Sequence, residues 1–267
     1  MPVERIDSPE DPRIADYRHV SEPELVRQRG LFVAEGRQVV RRLIEAGRHE
    51  VRSLLVSEAA RLSLEPSLAT LSPGVPIYVC GAGDFLGITG HDLHRGCLAL
   101  ASRPEPPEVD VVLAASRMIL VLEGLTNADN VGAIFRNALA FGAQAVLLSP
   151  TCCDPLYRKA IRTSMAATLR VPFARLDAWP GALSRVRGQG FTIVALTPRE
   201  PSEDLDEVAA RPRPAKLALL IGTEGTGLTP QAEAAADCRV RIPIRADVDS
   251  LNVAVAAGIA MYRLRCE

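Results

Sequence analysis

The chain has 267 residues, 48% of them hydrophobic, and a formal net charge of −1. That length suffices for one large domain or two modest ones with packed cores. The balanced charge excludes a protein held to nucleic acid by bulk positive charge and leaves only local basic surface for that purpose.

Lys159 and Lys216 are the only lysines among 31 basic residues, so 29 are arginines, which suit planar, bidentate contacts. Cys80, Cys97, Cys152, Cys153, Cys238 and Cys266 contain no C-x-x-C pair and no His-rich companion. Neither a metal site nor a disulfide framework is expected from them, and reduced thiols are the simple account. The polar, acidic start M-P-V-E-R-I-D-S-P-E-D predicts no signal peptide. No apolar run approaches the ~20 residues that span a bilayer, so a soluble, cytoplasmic protein without a membrane partner is expected.

In chain order, residues 1–20 are rich in Pro and charge and read as an extended arm or a short helix. Residues 31–36 read as a strand, Gln38–Ala46 as a helix ending at Gly47, and Val51–Ser57 as a second strand followed by a helix-like stretch. Val75–Cys80 is a further strand, Asp84–Ile88 a short helix and Gly96–Ala101 a closing strand. This alternation makes residues 21–102 a small α/β domain. Arg103-Pro-Glu-Pro-Pro-Glu108 then marks a linker over 103–109.

The second domain, 110–267, restarts the alternation with a strand at Arg117–Leu122 and a helix at Val131–Phe141. A strand at Ala145–Ser149, a helix at Pro155–Leu169 and a strand at Phe191–Leu196 come next. Strands at Lys216–Ile221 and Val240–Ile244 and a last helix at Leu251–Arg265 complete the pattern. Strands separated by helices imply a mostly parallel sheet covered on both faces.

Three stretches carry chemistry. Asn130 precedes the helical run as a cap, and Arg136 lies one to two turns further on. The strand ending at Ile221 breaks into Gly222, Gly225 and Gly227 around Glu224, a loop through which another group can approach the backbone closely. The strand ending at Ile244 breaks at Asp247-Val-Asp249-Ser250, where Asp249 or Ser250 can cap the last helix. An Arg, an acid, a Ser and an Asn thus follow strand ends, where open α/β sheets bind ligands. No G-x-G-x-x-G or Walker loop occurs, so an ordinary dinucleotide or nucleoside triphosphate site lacks its signature.

Asn130-x-Gly-Ala-Ile-x-Arg136, Leu-Ile-Gly222-Thr-Glu224-Gly-x-Gly227-Leu and Ile242-Pro-Ile-x(5)-Ser250-Leu-Asn252-Val resemble, in order, the three motifs of the SpoU (TrmH-type) RNA 2′-O-ribose methyltransferases of the SPOUT superfamily. The N-terminal half is similar to the L30e-like substrate-binding domain of many members around Phe32-Val-Ala-Glu-Gly36 and His94-Arg-Gly-Cys-Leu-Ala99. Ala246 departs from the third motif, which often has Gly there.

The resemblance implies a C-terminal SPOUT domain with a deep trefoil knot, bound S-adenosylmethionine and a homodimer formed through that domain. It places the cofactor among Leu196 and Thr197, the loop of Gly222, Thr223, Glu224, Gly225 and Gly227, and the loop of Ile242, Pro243, Ile244, Leu251 and Asn252. It makes Asn130, Arg136, Glu224, Ser250 and Asn252 the catalytic set. In that set Arg136 is expected to stabilise the nascent alkoxide or bind the adjacent phosphate, Asn130 to orient Arg136 or the ribose, Glu224 to fix Arg136 or cofactor groups, and Ser250 and Asn252 to hold the third loop and contact substrate.

RNA contact is expected from Arg158, Lys159 and Arg162, opposed only by Asp154, and from Arg37, Arg41, Arg42 and Arg95. Residues 1–105 carry 13 Arg against 15 Asp plus Glu, so shape must supplement charge there. The extra domain favours ribosomal RNA, 23S in particular, as a housekeeping or antibiotic-resistance target. A tRNA 2′-O-methyltransferase and a catalytically silent RNA- or ribosome-binding protein of the same fold are the alternatives.

Overall fold

The computed structural model describes residues 2–18, 21–81, 83–89 and 96–265. The chain divides into two compact units, one of Met1–Glu105 with Pro155–Leu169 and the other of Pro106–Asp154 with Arg170–Glu267.

In the first unit, strands β1 (Val3–Arg5), β2 (Leu31–Glu35), β3 (Val51–Val56), β4 (Ile77–Val79) and β5 (Cys97–Ser102) form one sheet in the order β1-β4-β3-β5-β2. The β1–β4 and β4–β3 pairs are parallel, whereas β5 runs antiparallel to both β3 and β2. Helices α1 (Arg37–Ala46), α2 (Glu58–Leu68) and α3 (Asp84–Thr89) link the strands. In the expected arm, the described residues form both an extended strand, β1, and a short helix at Pro12–Tyr17, and Ile6, Ile14 and Tyr17 enter the core beside Leu55, Phe85 and Ile88. Tyr17 also shares a hydrogen bond with Ser53 Oγ (2.8 Å) and accepts one from the Leu100 amide (3.2 Å). Three large apolar side chains spaced through a polar segment outweighed its Pro-rich composition, since each contributes about 2 kcal/mol when buried.

The second unit opens with α4 (Val109–Ala114), β6 (Met118–Leu122), α5 (Ala128–Phe141) and β7 (Ala145–Leu148). The chain then passes through α6 (Arg158–Thr163), which belongs to the first unit, and returns at β8 (Phe173–Arg175). Next come α7 (Leu183–Gly188), β9 (Thr192–Leu196), β10 (Glu203–Asp204), α8 (Leu205–Ala209), β11 (Leu217–Ile221), α9 (Pro230–Ala234), β12 (Cys238–Arg241) and α10 (Val253–Leu264). The described strands of this unit pair in parallel throughout, in the order β10-β12-β9-β11-β6-β7-β8. The α/β class and the parallel sheet match the sequence expectation. Every residue of β6, β7 and β11 is buried, which is why these strands read as unbroken apolar runs.

Several boundaries differ: the strand expected over Val240–Ile244 is Cys238–Arg241, so the third loop already begins at Ile242. The single helix expected over Pro155–Leu169 is α6 alone, because Met165 and Ala166 turn to φ 52° and 68°, and a short turn of helix at Ala167–Leu169 follows. The contacts of this segment also place it with the first unit rather than with an uninterrupted 110–267 domain. Buried Ala160 and Ile161 give it an apolar face that α6 packs on β2.

Candidate active site

Because β12, β9, β11 and β6 are adjacent and parallel, their carboxyl ends lie along one edge of the second unit's sheet. From that edge rise the Leu196-Thr197 turn, the glycine loop after Ile221 and the loop from Ile242 to Asn252.

Asn252 joins two of the other predicted catalytic residues, Asn130 and Glu224. It is the N-cap of α10, its Oδ1 accepting from the amides of Ala254 (3.0 Å) and Val255 (3.3 Å). Its Nδ2 donates to Asn130 Oδ1 (3.1 Å) and to Glu224 Oε1 (3.0 Å). One side chain therefore ties the start of α5, the glycine loop and the third loop together. The expected cap at Asp249 or Ser250 is replaced by this one, and Ser250 is exposed with no side-chain hydrogen bond among the described residues.

Asn130 was expected to cap α5, but Asn127 does so, its Oδ1 accepting from the Asp129 amide (2.8 Å). Asn130 sits in the first turn, 8% exposed, with its amide turned to Asn252. Either Asn in the run Asn-Ala-Asp-Asn offers a cap, and the earlier one wins by starting the helix three residues sooner. Arg136 is exposed on α5 and, among the described residues, has no hydrogen-bond or ion-pair partner. Of the two roles expected for each of Asn130 and Glu224, contact with Arg136 is not seen among the described residues: both accept from Asn252 instead.

The glycine loop is a tight return. The Gly227 amide donates to Thr223 O (3.0 Å), with Gly225 at φ 79° and Gly227 at φ 68°. Gly222 was expected to make room for a ligand. A Cβ there would lie 2.3 Å from both Gly227 C and Leu228 N, so the space is filled by the loop's own returning backbone. The exit of the loop is anchored by Glu123, 5% exposed, which accepts from Thr229 N (2.8 Å), Thr229 Oγ1 (2.8 Å) and Trp179 Nε1 (2.5 Å). Sequence reading missed Glu123, although a lone acid closing an otherwise apolar strand was a visible signal. It also missed Arg199 and Glu233, which flank the same loop and have no local pattern to betray them.

Thr197 is buried. Its hydroxyl donates to Glu233 Oε1 (2.7 Å) and its amide to Val240 O (2.9 Å), so both of its donors serve the scaffold. Residues 243–250 are exposed, and Ile244 and Val248 present apolar side chains to solvent. Ala246 replaces the motif's glycine without strain, since it has no positive φ. Exposed main chain at Glu224–Thr226 and across the third loop, next to exposed aliphatic side chains, suits a ligand with an aromatic base and a polar chain. The residues present therefore fit an adenosyl cofactor.

In the first unit, the predicted RNA-facing cations meet acids that no local reading could find. Arg162 Nη1 contacts Glu35 Oε1 (2.9 Å), and Arg158 approaches Glu35 (3.5 Å) and Glu22 (3.7 Å). Asp154, expected to oppose them, instead lies 3.5 Å from Arg175 in the second unit. Arg41 donates to Ser63 O (3.2 Å) and Arg42 to Met165 O (2.6 Å), while Arg37 is half-buried and Lys159 exposed. Arg95 lies outside the described residues. No group of three or more His, Cys, Asp or Glu suited to a metal ion occurs among the described residues. Burial pushes the Cys80 and Cys97 thiols up to about 12, and no helix among the described residues is long and apolar enough to cross a membrane.

The sequence pattern of the SpoU rRNA Methylase family matches residues 117–262. The chain belongs to that family. The match spans the Asn252 cluster, the glycine loop and the third loop, and membership makes the protein an S-adenosylmethionine-dependent RNA methyltransferase. Among similar SpoU-type proteins, an uncharacterized tRNA/rRNA methyltransferase of Mycobacterium tuberculosis is 39% identical over 98% of this chain and 91% of its own length. The 23S rRNA (guanosine(2553)-2′-O)-methyltransferase RlmP of Bacillus subtilis is 24% identical over 98% of this chain and its whole length. An AdoMet-bound rRNA methyltransferase from Sinorhizobium meliloti shares the fold with a TM-score of 0.82, at 22% identity, covering 98% of this chain and 97% of that one.

Proposed function

We propose that this SpoU-family protein methylates a ribose 2′-hydroxyl in structured ribosomal RNA, with 23S rRNA as the leading candidate. The observation that carries this reading is the Asn252 hub. It fixes Asn130 and Glu224 at the sheet edge while Arg136, on the helix whose first turn holds Asn130, meets no acid among the described residues.

The cofactor supplies the methyl group already activated on a sulfonium centre. The chain's residues then have to hold it, orient the ribose and manage charge on the attacking oxygen. Main chain near Leu196 and Thr197, the glycine loop, and Ile242, Pro243, Ile244 and Leu251 would hold the adenosyl portion. A guanidinium is a donor with no acceptor, so the role we assign to Arg136 is electrostatic. It stabilises negative charge developing on the 2′-oxygen or grips the adjacent phosphate. A counter-ion on Arg136 would blunt that effect, and Glu224 is engaged by Asn252 instead. Ser250 is free to meet substrate.

The first unit is read as an L30e-like RNA-binding domain, with Arg37, Arg41, Arg42, Arg158, Lys159 and Arg162 as its phosphate contacts. We further infer a trefoil-knotted second unit, a cytoplasmic location and a homodimer through that unit. Replacing Arg136 with Ala tests the core of the proposal. Methyl incorporation into rRNA should fall at least about a thousandfold, the scale of losing a transition-state electrostatic group, with S-adenosylhomocysteine affinity unchanged. Near-normal turnover would remove Arg136 from the mechanism.

A further inference from the structure

We propose that Arg199, neutralised by Glu233, is a positioning residue that clamps the Gly222–Gly227 loop and thereby sets Glu224 for cofactor binding. The proposal rests on reading this loop as part of the cofactor site.

Arg199 follows the β9 turn and reaches across to the β11 loop. Its Nη1 donates to Leu228 O (2.8 Å) and contacts Glu233 Oε1 (3.3 Å), and its Nη2 donates to Thr226 O. The two carbonyls flank Gly227, whose amide closes the loop onto Thr223. The Arg199 amide donates to Thr197 Oγ1 (3.3 Å), and that hydroxyl donates to Glu233 Oε1. Glu233 is 8% exposed, so its carboxylate is held chiefly by this hydroxyl and this guanidinium.

With Glu123 fixing Thr229, the returning leg of the loop is fastened at Thr226, Leu228 and Thr229, while Glu224 and Gly225 project into solvent. A fastened base with an exposed tip defines where the Glu224 carboxylate meets Asn252. The clamp also couples two neighbouring strand ends, so the β9 and β11 loops keep one fixed separation. A planar guanidinium can serve two carbonyls and a carboxylate at once, whereas an ammonium cannot do so in the same geometry.

The test uses the full-length protein with Arg199→Lys and with the double variant Arg199→Met/Glu233→Gln. The double variant removes both charges, so no buried carboxylate is left unpaired. In the absence of ligand, exchange of the Gly227 amide should speed up at least about tenfold in both variants, while amides of β6, β9 and β11 keep their protection. The dissociation constant for S-adenosylhomocysteine should rise about tenfold. RNA affinity and melting temperature should stay at the unaltered values, and the cofactor KM should rise more than kcat falls.

Unchanged Gly227 exchange in either variant would overturn the clamp. Accelerated exchange throughout the sheet would also overturn it, by showing a general scaffold role. If Gly227 responds as expected but the unaltered protein binds no S-adenosylhomocysteine, the clamp is supported and the cofactor assignment of the loop falls.

Discussion

Asn252 does two jobs with one amide: the oxygen caps α10 and the nitrogen holds Asn130 and Glu224. The two substitutions that separate those jobs have different expected costs. Asn252→Ala loses both, at about 1 kcal/mol for the cap plus the unpaired Asn130 oxygen. Asn252→Asp keeps the cap but turns a carboxylate oxygen towards the Asn130 oxygen and the Glu224 carboxylate, with no donor between them. Its melting temperature should fall through the unpaired Asn130 oxygen and the facing carboxylates even though the cap is kept, while methyl transfer falls about a hundredfold. Activity retained in Asn252→Asp would show that the hub's nitrogen is dispensable.

His49 gives a second prediction at the level of one side chain. Burial lowers its pKa below the ordinary 6.5, against the raising effect of its hydrogen bond to Leu169 O, with Arg48 lowering it slightly further. The unfolded chain therefore binds this proton more tightly than the folded one. The contribution to stability is complete above pH 6.5 and is lost as pH falls through that value towards the lower folded pKa. Melting curves of the unaltered protein and His49→Gln should converge on acidification, and parallel curves would assign the pH dependence elsewhere.

At the scale of elements, α10 is read two ways by its surroundings. Ala254, Ala257 and Gly258 give it a small-residue face against α5, where Asn137 Nδ2 donates to Ala254 O (2.9 Å). A Cβ at Gly258 would come within 2.9 Å of that same nitrogen. Its other face exposes Val255, Ile259 and Tyr262, spaced by four and three residues and so aligned on one side. An apolar stripe left open on a well-packed helix suits the proposed homodimer. Ile259→Glu should convert a dimer to a monomer in sedimentation at micromolar concentration while leaving the fold intact, and a dimer that survives the charge would move the interface elsewhere.

The same helix shows what the sequence made legible. Its existence and its place after the third loop followed from the Ala-rich run, as the buried strands β6, β7 and β11 followed from theirs. Its cap did not, because Asp249, Ser250 and Asn252 are all competent caps and only tertiary partners at Asn130 and Glu224 choose between them. The glycine loop was legible as a turn needing positive φ and a close approach, but the group that approaches Gly222 is the loop's own returning backbone. Arg199, Glu233 and Glu35 stayed hidden because their partners are 27 or more residues away. Periodicity reports faces, not pairings.

For the whole molecule, the decisive feature is that the chain leaves the second unit after Asp154 and returns at Arg170. The excursion is packed by the first unit: Glu22 accepts from the Arg158 amide (2.8 Å), Glu35 pairs with Arg162, Arg42 donates to Met165 O, and His49 bonds Leu169 O. Consecutive left-handed residues at Met165 and Ala166 are strained for side-chain-bearing residues, so this turn depends on such support. Deleting residues 1–105 therefore removes more than the proposed RNA-binding domain. In the fragment, amides of 155–169 should exchange as fast as those of an unstructured chain, while β6, β7, β9 and β11 remain protected. The fragment should keep S-adenosylhomocysteine affinity, since every proposed cofactor loop lies in the second unit, and should lose methylation of the RNA. Protection of 155–169 in the fragment would mean that the second unit can hold the segment by itself, and the loss of RNA recognition would then be due to the missing domain alone.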